Sequence, residues 1–131
     1  MTNPFDTINV LCRHIFMANK KVGWWPENVN DRNKGELIAL MHSELSEALE
    51  GVRKNKMDDH LPGRPSVEVE MADTVIRIFD FCGAFGYDLG GAIQEKLDYN
   101  AQRADHKLSE RMKANGIKID AIEVSTSTNV S

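Results

Sequence analysis

Four stretches of this chain repeat their apolar residues at intervals of three and four, which is the spacing of an α-helix. No segment of useful length alternates apolar and polar residues as a half-buried strand would. The pattern predicts an all-α fold of four to five helices. The expected helices run from Pro4 or Phe5 to the segment KKVGWWPEN, from about Lys34 to Lys54, from a Ser66 cap to Phe85, and from an Asp88 cap to about Ala114.

The length of 131 residues suits one domain with one core. We expect a single all-α domain over residues 1–114 and a mobile C-terminal tail over 115–131, because that segment is short and increasingly polar. Cys12 and Cys82 are isolated in the sequence, so they are expected to be buried thiols and not a disulfide or zinc framework.

Charge and hydropathy restrict the classes of partner. A net charge of −4 and a pI near 5.5 disfavour binding to a nucleic acid polymer, which needs clustered Lys and Arg. The N-terminal segment MTNPFDTINV has no signal-peptide pattern, and no apolar run reaches the length of a membrane span. We therefore expect a cytoplasmic protein without a membrane partner.

Two pairs of acids occur in the second and third predicted helices: Glu44 with Glu47, and Glu70 with Asp73. Residues three apart share a helix face, so each pair forms a local patch of two carboxylates beside apolar positions. Like charges near a core stripe are unfavourable without a cation between them. Oxygen-only ligands suit Mg²⁺ first and Mn²⁺ second, although ordinary solvated helix faces remain an alternative explanation.

Cationic and amide side chains accompany the acids. Arg77 follows Asp73 by four positions, on the same helix face. In the fourth helix Lys96, Asn100 and Arg103 fall at i, i+4 and i+7, opposite an apolar stripe. Such a stripe could bind phosphates or could be a solvated surface.

The order of these segments resembles the MazG-like family of all-α nucleoside triphosphate pyrophosphohydrolases. That family carries ExxE in one helix and ExxD in the next, and here the motif is Glu44, Glu47, Glu70 and Asp73 with 22 residues between the inner pair. The flanking segments LIALMHSELSEALEGVRK, EVEMADTVIRIFD and EKLDYNAQR are also similar. One departure is Ser43, where many members have a further Glu.

The resemblance implies hydrolysis of nucleoside triphosphates, usually deoxynucleotides, between the α and β phosphates, with Mg²⁺ as cofactor and Mn²⁺ as the alternative. It implies metal binding by Glu44, Glu47, Glu70 and Asp73, with Glu47 our choice as the base that orients water. Similarity to the family also makes Lys96, Asn100 and Arg103 phosphate-binding residues, with Arg77 a plausible addition. Members form dimers or dimers of dimers, so a homodimer or homotetramer is expected.

Base recognition requires a flat surface, and adjacent Trp24 and Trp25 in a loop bounded by Gly and Pro are the candidates for stacking. Similar proteins use aromatic residues there. The alternative is a hydrophobic plug over a subunit interface. Asn19 could read a base edge through its amide, or it could serve the helix end. A deoxypurine or a broad preference is expected.

Two rival functions differ in what they require. A di-iron helical bundle needs Glu-x-x-His motifs, and no His of this chain has a Glu three residues before it. A non-enzymatic helical dimerisation or adaptor protein would leave the acids solvated and use the Trp pair to bind its partner. The first rival is strongly disfavoured because its motif is missing, whereas the second remains open.

Overall fold

The computed structural model describes residues 3–116, with the side chains of 104–106 excepted. It contains four α-helices, α1 (Pro4–Lys21), α2 (Lys34–Lys54), α3 (Ser66–Phe85) and α4 (Leu89–Asn115), and a short 3-10 helix, η1 (Val29–Asp31). No strand occurs among these residues, so the all-α prediction is confirmed. The predicted mobile tail lies, from residue 117 onward, outside the described residues.

Short polar side chains begin three of the helices. Asn3, Asn33 and Asp88 each accept a hydrogen bond from a backbone N–H in the first turn, at 3.0, 3.0 and 2.9 Å. These bonds satisfy donors that would otherwise lack a partner at a helix start. Two helices end at a left-handed residue, α2 at Asn55 (φ 47°) and α3 at Gly86 (φ 70°). The predicted ends of the second and third helices are therefore confirmed.

The beginning of α3 differs from the prediction. Pro65 holds the cap position and makes no side-chain cap bond, whereas Ser66 is the first helical residue. The reason lies in the preceding loop, where the Ser66 N–H donates to the Lys56 carbonyl oxygen at 2.9 Å and Met57 pairs with Pro65. These contacts hold the chain extended up to Pro65, and the helix then begins at Ser66, one residue earlier than a Ser66 cap would require.

The chain divides into two compact units, and the boundary lies between Gly91 and Ala92, inside α4. In the first unit α3 packs against both α1 and α2. The buried apolar residues of this unit come from all three helices and the α1–α2 loop: Cys12, Trp25, Leu37, Ala48 and Cys82. Both cysteines are buried free thiols, as predicted. The site described below lies entirely within this first unit.

Two glycines allow α3 to approach its neighbours. A Cβ at Gly83 would overlap the carbonyl oxygen of Cys12 and lie 2.8 Å from the carbonyl carbon, so α1 and α3 meet there at backbone distance. A Cβ at Gly51 would lie 3.0 Å from the Ser66 side chain. Close helix contact at these two points fixes how α1, α2 and α3 align.

The first unit leaves many apolar side chains in contact with solvent. On α2 the apolar stripe is only partly buried, since Leu45, Leu49 and Val52 are 43, 53 and 60% exposed. Met71 and Val75 of α3 are also exposed. Among the described residues, no large side chain is more than 98% buried. The three helices therefore form a thin layer with a substantial apolar surface. No helix of residues 3–116 has the length and apolar character needed to cross a membrane.

Candidate metal centre and adjoining cavity

Carboxylates from α2 and α3 converge where these two helices pack together. One side-chain oxygen from each of Glu44, Glu47 and Glu70 lies within 4.8 Å of the other two. We call these three residues the carboxylate cluster. Glu44 and Glu70 are partly buried and Glu47 is exposed. Three of the four predicted metal ligands thus share one site, at a separation that a single divalent ion could bridge.

Electrostatic repulsion within the carboxylate cluster falls mainly on Glu70. Burial raises the pKa of Glu70 to about 7, and the neighbouring Glu44, Glu47 and Asp73 carboxylates act in the same direction. The Oε2 atom of Glu70 is buried and has no hydrogen-bond partner. A buried carboxylate oxygen without a donor is unfavourable unless a proton or a cation satisfies it.

Asp73 lies beside the carboxylate cluster and not within its group of three oxygens. Burial raises the pKa of Asp73, and the charge of Glu44 adds to this effect, while Arg77 opposes it. Asp73 and Glu44 line the same cavity. The fourth predicted ligand is therefore adjacent to the other three, on the cavity side.

Arg77 is joined to the carboxylate cluster by an ion pair. Its Nε donates to Glu44 Oε1 at 2.9 Å, and the Glu44 side chain is only 13% exposed. Because the bond links α3 to α2 and is partly buried, it restricts the direction of the Glu44 carboxylate. The structure thus places Arg77, predicted to bind phosphate, in direct contact with a predicted metal ligand.

A cavity of about 410 Å³ extends from Glu44 and Asp73 to the loop after α1. This volume is typical of small-molecule sites. Its wall contains Arg77 near the acids and all three residues predicted to bind a base: Asn19, Trp24 and Trp25. The cavity therefore brings the predicted base-binding residues and two of the predicted metal ligands to one space.

The two tryptophans differ in environment. Trp24 is 69% exposed, and its backbone oxygen accepts a bond from Arg32 Nη1 at 3.1 Å. Trp25 is 6% exposed and packs edge-on against Phe16 and Phe85. Both line the cavity, but only the Trp24 ring has a largely open surface on which a flat ligand could stack.

The remaining predicted phosphate-binding residues lie in the second unit. Lys96, Asn100 and Arg103 are exposed on α4, at the helical spacing that the sequence indicated. The Lys96 Nζ is 4.7 Å from the centroid of the Tyr99 ring, which it faces as a cation over an aromatic surface. Their assignment to phosphates stays a prediction.

Comparison of the chain with known protein families, curated proteins and solved structures finds no match in any of the three. The MazG-like resemblance therefore stays a hypothesis that depends on the motifs themselves.

Two residues of the cavity were missed by the sequence analysis. Asp80 accepts hydrogen bonds from Trp25 Nε1 through both carboxylate oxygens, at 2.9 and 3.1 Å. The Arg32 guanidinium carbon lies 5.0 Å from the centroid of the Trp25 ring. A signal existed for Asp80, because it follows Asp73 by seven positions and so shares its helix face. No sequence pattern identified Arg32.

A second cavity, of about 340 Å³, adjoins the carboxylate cluster through Glu47 and Glu70. Its wall includes Asp58, which is buried and accepts bonds from the backbone N–H groups of His60 and Leu61 at 2.9 and 2.7 Å. These bonds order the α2–α3 loop next to the cluster. No functional residue was predicted in this segment from the sequence.

Proposed function

We propose that this protein is a Mg²⁺-dependent pyrophosphohydrolase of nucleoside triphosphates, which cleaves between the α and β phosphates to release a monophosphate and pyrophosphate. The observation that carries the proposal is the carboxylate cluster at a ligand-sized cavity whose wall also contains a cation, Arg77, and an exposed aromatic ring, Trp24. Metal ligands and phosphate-directed charge serve the hydrolysis of a phosphoanhydride, and a stacking surface serves the binding of a base.

The donor set of the carboxylate cluster fits a hard divalent cation. All three ligands are carboxylate oxygens, which suit Mg²⁺ and also Mn²⁺. The buried Glu70 Oε2, which has no hydrogen-bond partner, is an oxygen that such an ion would satisfy. Glu44, Glu47 and Glu70 would hold the metal, and Asp73, which lines the same cavity as Glu44, would join them or hold a second ion.

A bound Mg²⁺ supplies neutralisation of phosphate charge and a water of lowered pKa. The protein side chains then have separate tasks. Glu47, the exposed member of the cluster, is open to solvent and therefore able to accept the proton of the attacking water. Arg77 orients Glu44 and places positive charge beside the cavity, where it favours an anionic substrate.

The substrate would occupy the cavity with its phosphates toward Asp73 and its base toward Trp24. In this orientation the Trp24 ring stacks on the base, and Trp25 supports the wall from its buried position. The family resemblance supports Lys96, Asn100 and Arg103 of α4 as phosphate-binding residues. A deoxypurine nucleotide is the proposed preferred substrate.

We further propose that the chain functions as a homodimer or homotetramer. The support is the apolar surface on α2 and α3, where Leu49, Val52 and Met71 are about half exposed. An isolated layer of three helices with so little fully buried core gains stability when a second copy covers such a surface.

The proposal is tested by incubating the protein with each common ribo- and deoxyribonucleoside triphosphate, with Mg²⁺ or with EDTA, and resolving the products by ion-exchange chromatography. We expect monophosphate and pyrophosphate in equal amounts, and only with Mg²⁺. Diphosphate and phosphate as products would place the cut elsewhere, and no hydrolysis of any nucleotide would refute the proposal.

The exposed apolar surface and the exposed Trp24 also favour a second candidate, a non-enzymatic dimerisation or adaptor protein. The two candidates differ in their response to ligand. If the protein is the enzyme, MgCl₂ and a non-hydrolysable triphosphate together should raise its melting temperature more than either one alone, because both bind only the folded state. The adaptor predicts no joint stabilisation.

A further inference from the structure

One face of α3 runs along the whole cavity. Asp73, Arg77 and Asp80 follow one another at i, i+4 and i+7, and all three line it. Seven residues of helix separate Asp73 from Asp80 by about 10 Å along the axis, since each residue rises about 1.5 Å. Asp73 therefore marks the end of the cavity beside the carboxylate cluster, and Asp80 marks the end beside the tryptophans.

Asp80 is held in a fixed direction by its neighbours. The Trp25 indole donates to both of its oxygens, and the Asn19 side chain also bonds to it. Burial raises the pKa of Asp80, an effect that these bonds and the nearby positive charge of Arg32 oppose. A carboxylate has about four acceptor positions in all, so this anchored group retains acceptor capacity for a ligand in the cavity.

We propose that Asp80 determines base specificity, and that it selects guanine by accepting hydrogen bonds from the guanine N1–H and 2-amino groups. This inference rests on the proposed nucleotide hydrolysis, and it assigns the substrate class of the same cavity. The base stacks on the Trp24 ring, and its Watson–Crick edge faces the Asp80 carboxylate.

The selection follows from hydrogen-bond chemistry. A carboxylate offers acceptors only, so it is satisfied by two adjacent donors on one base edge. Guanine has such a pair at N1 and N2. Adenine and cytosine place one amino group next to a ring-nitrogen acceptor, and thymine and uracil place one N–H between two carbonyl oxygens. With each of these bases an acceptor of the ligand would face an acceptor of the protein, which is unfavourable in a partly buried site.

The experiment compares kcat/KM for dGTP, dATP, dCTP and dTTP, with dITP and dXTP as edge variants. The wild-type protein should prefer dGTP to dITP, which lacks the 2-amino group, and to the other bases, by about 10- to 100-fold, the usual range for a bidentate base contact. This comparison needs no altered protein. Equal values for all bases would overturn the inference while leaving the hydrolysis intact.

The substitution Asp80→Asn supplies the reciprocal test. A carboxamide offers one acceptor and one donor, which complements the N1–H and the C2 carbonyl of xanthine. We expect dGTP to lose its advantage and dXTP to gain about 10-fold or more. The matched control is Glu27→Gln, which removes a negative charge from the α1–α2 loop near the tryptophans, outside the cavity wall, and should keep the guanine preference. A guanine preference that survives in Asp80→Asn would refute the assignment.

Binding separates this inference from the proposed function. Calorimetric titration with the α,β-methylene analogues of dGTP and dATP, in the presence of Mg²⁺, measures base preference without turnover. Preferred binding of the guanine analogue together with no hydrolysis of dGTP would refute only the proposed reaction. Equal binding of the two analogues, or no binding of either, would refute the role of Asp80.

Discussion

The substitution Glu70→Gln should have opposite effects on the metal-free and metal-bound protein. Glu70 lies in the carboxylate cluster with a buried Oε2 atom that has no partner, and its pKa is raised to about 7. Such a group stabilises the fold only while it is protonated. Its contribution is complete below the ordinary value of 4.5 and is lost as the pH rises through about 7. The metal-free protein should therefore lose stability across this window.

The size of the effect follows from the geometry of the carboxylate cluster. At the 4.8 Å limit for the cluster oxygens, two like charges repel by about 1 to 3.5 kcal/mol for effective dielectric constants of roughly 80 to 20. Glu47 is exposed and Arg77 compensates part of the Glu44 charge, so the lower part of this range applies. At pH 8 without metal, Glu70→Gln should raise the free energy of unfolding by about 1 to 2 kcal/mol, which is roughly 4 to 8 °C in melting temperature.

Thermal unfolding followed by circular dichroism measures both effects. The melting temperature is recorded at pH 5 and pH 8, with or without about 5 mM Mg²⁺, a concentration above the dissociation constant of a weak site. Wild type should gain stability from Mg²⁺ at pH 8, whereas Glu70→Gln should gain little. The matched control Glu36→Gln removes a carboxylate from the first turn of α2, outside the carboxylate cluster, where it favours the helix dipole. It should slightly lower the melting temperature. A destabilised Glu70→Gln at pH 8 without metal would refute the reasoning.

Three further predictions concern other parts of the site and fold. Glu47→Gln should reduce kcat for triphosphate hydrolysis at least about 100-fold and leave the helical circular dichroism unchanged, because its side chain is exposed; a small loss would argue against its role as base. Trp24→Ala should raise KM with little change in melting temperature, whereas Trp25→Ala should lower the melting temperature by removing a buried ring. Equal melting temperatures for these two variants would contradict their different burial. Gly83→Ala should destabilise the fold by about 2 kcal/mol in denaturant titration, because its Cβ would overlap the Cys12 backbone; unchanged stability would show that the helices separate freely.

Most of the helical architecture could be predicted from local sequence signals. Apolar periodicity predicted α2 at Lys34–Lys54 and α3 up to Phe85. The helix boundaries were indicated by adjacent residues, since Gly86 ends α3 and Asp88 caps the start of α4. Such signals depend on neighbours within one helical turn, so the sequence displays them directly. Ser66 was misplaced as a cap because its N–H bonds to Lys56, ten positions earlier, which no local pattern reveals.

The site could be predicted only in part, for the same physical reason. Helical spacing predicted that Glu44 and Glu47 share one face of α2. Their approach to the Glu70 carboxylate depends on how α2 packs against α3, which the spacing does not show. The ion pair between Arg77 and Glu44 crosses between helices and was not predicted. Asp80 was overlooked because its hydrogen bonds come from the Trp25 indole, 55 positions away in the sequence. Contacts between distant segments are set by packing, and one sequence alone does not specify them.

Manganese binding tests the carboxylate cluster most directly, because Mn²⁺ replaces Mg²⁺ at oxygen sites and free Mn²⁺ is visible by electron paramagnetic resonance. Titration of the wild-type protein at pH 8 should show saturable loss of the free-ion signal. Glu44→Gln, Glu47→Gln and Glu70→Gln should each weaken binding by about 10-fold or more, as expected when one charged ligand of a divalent ion is removed, and Glu36→Gln should not. Equal Mn²⁺ binding by all of these proteins, or none by the wild type, would contradict a metal site between α2 and α3.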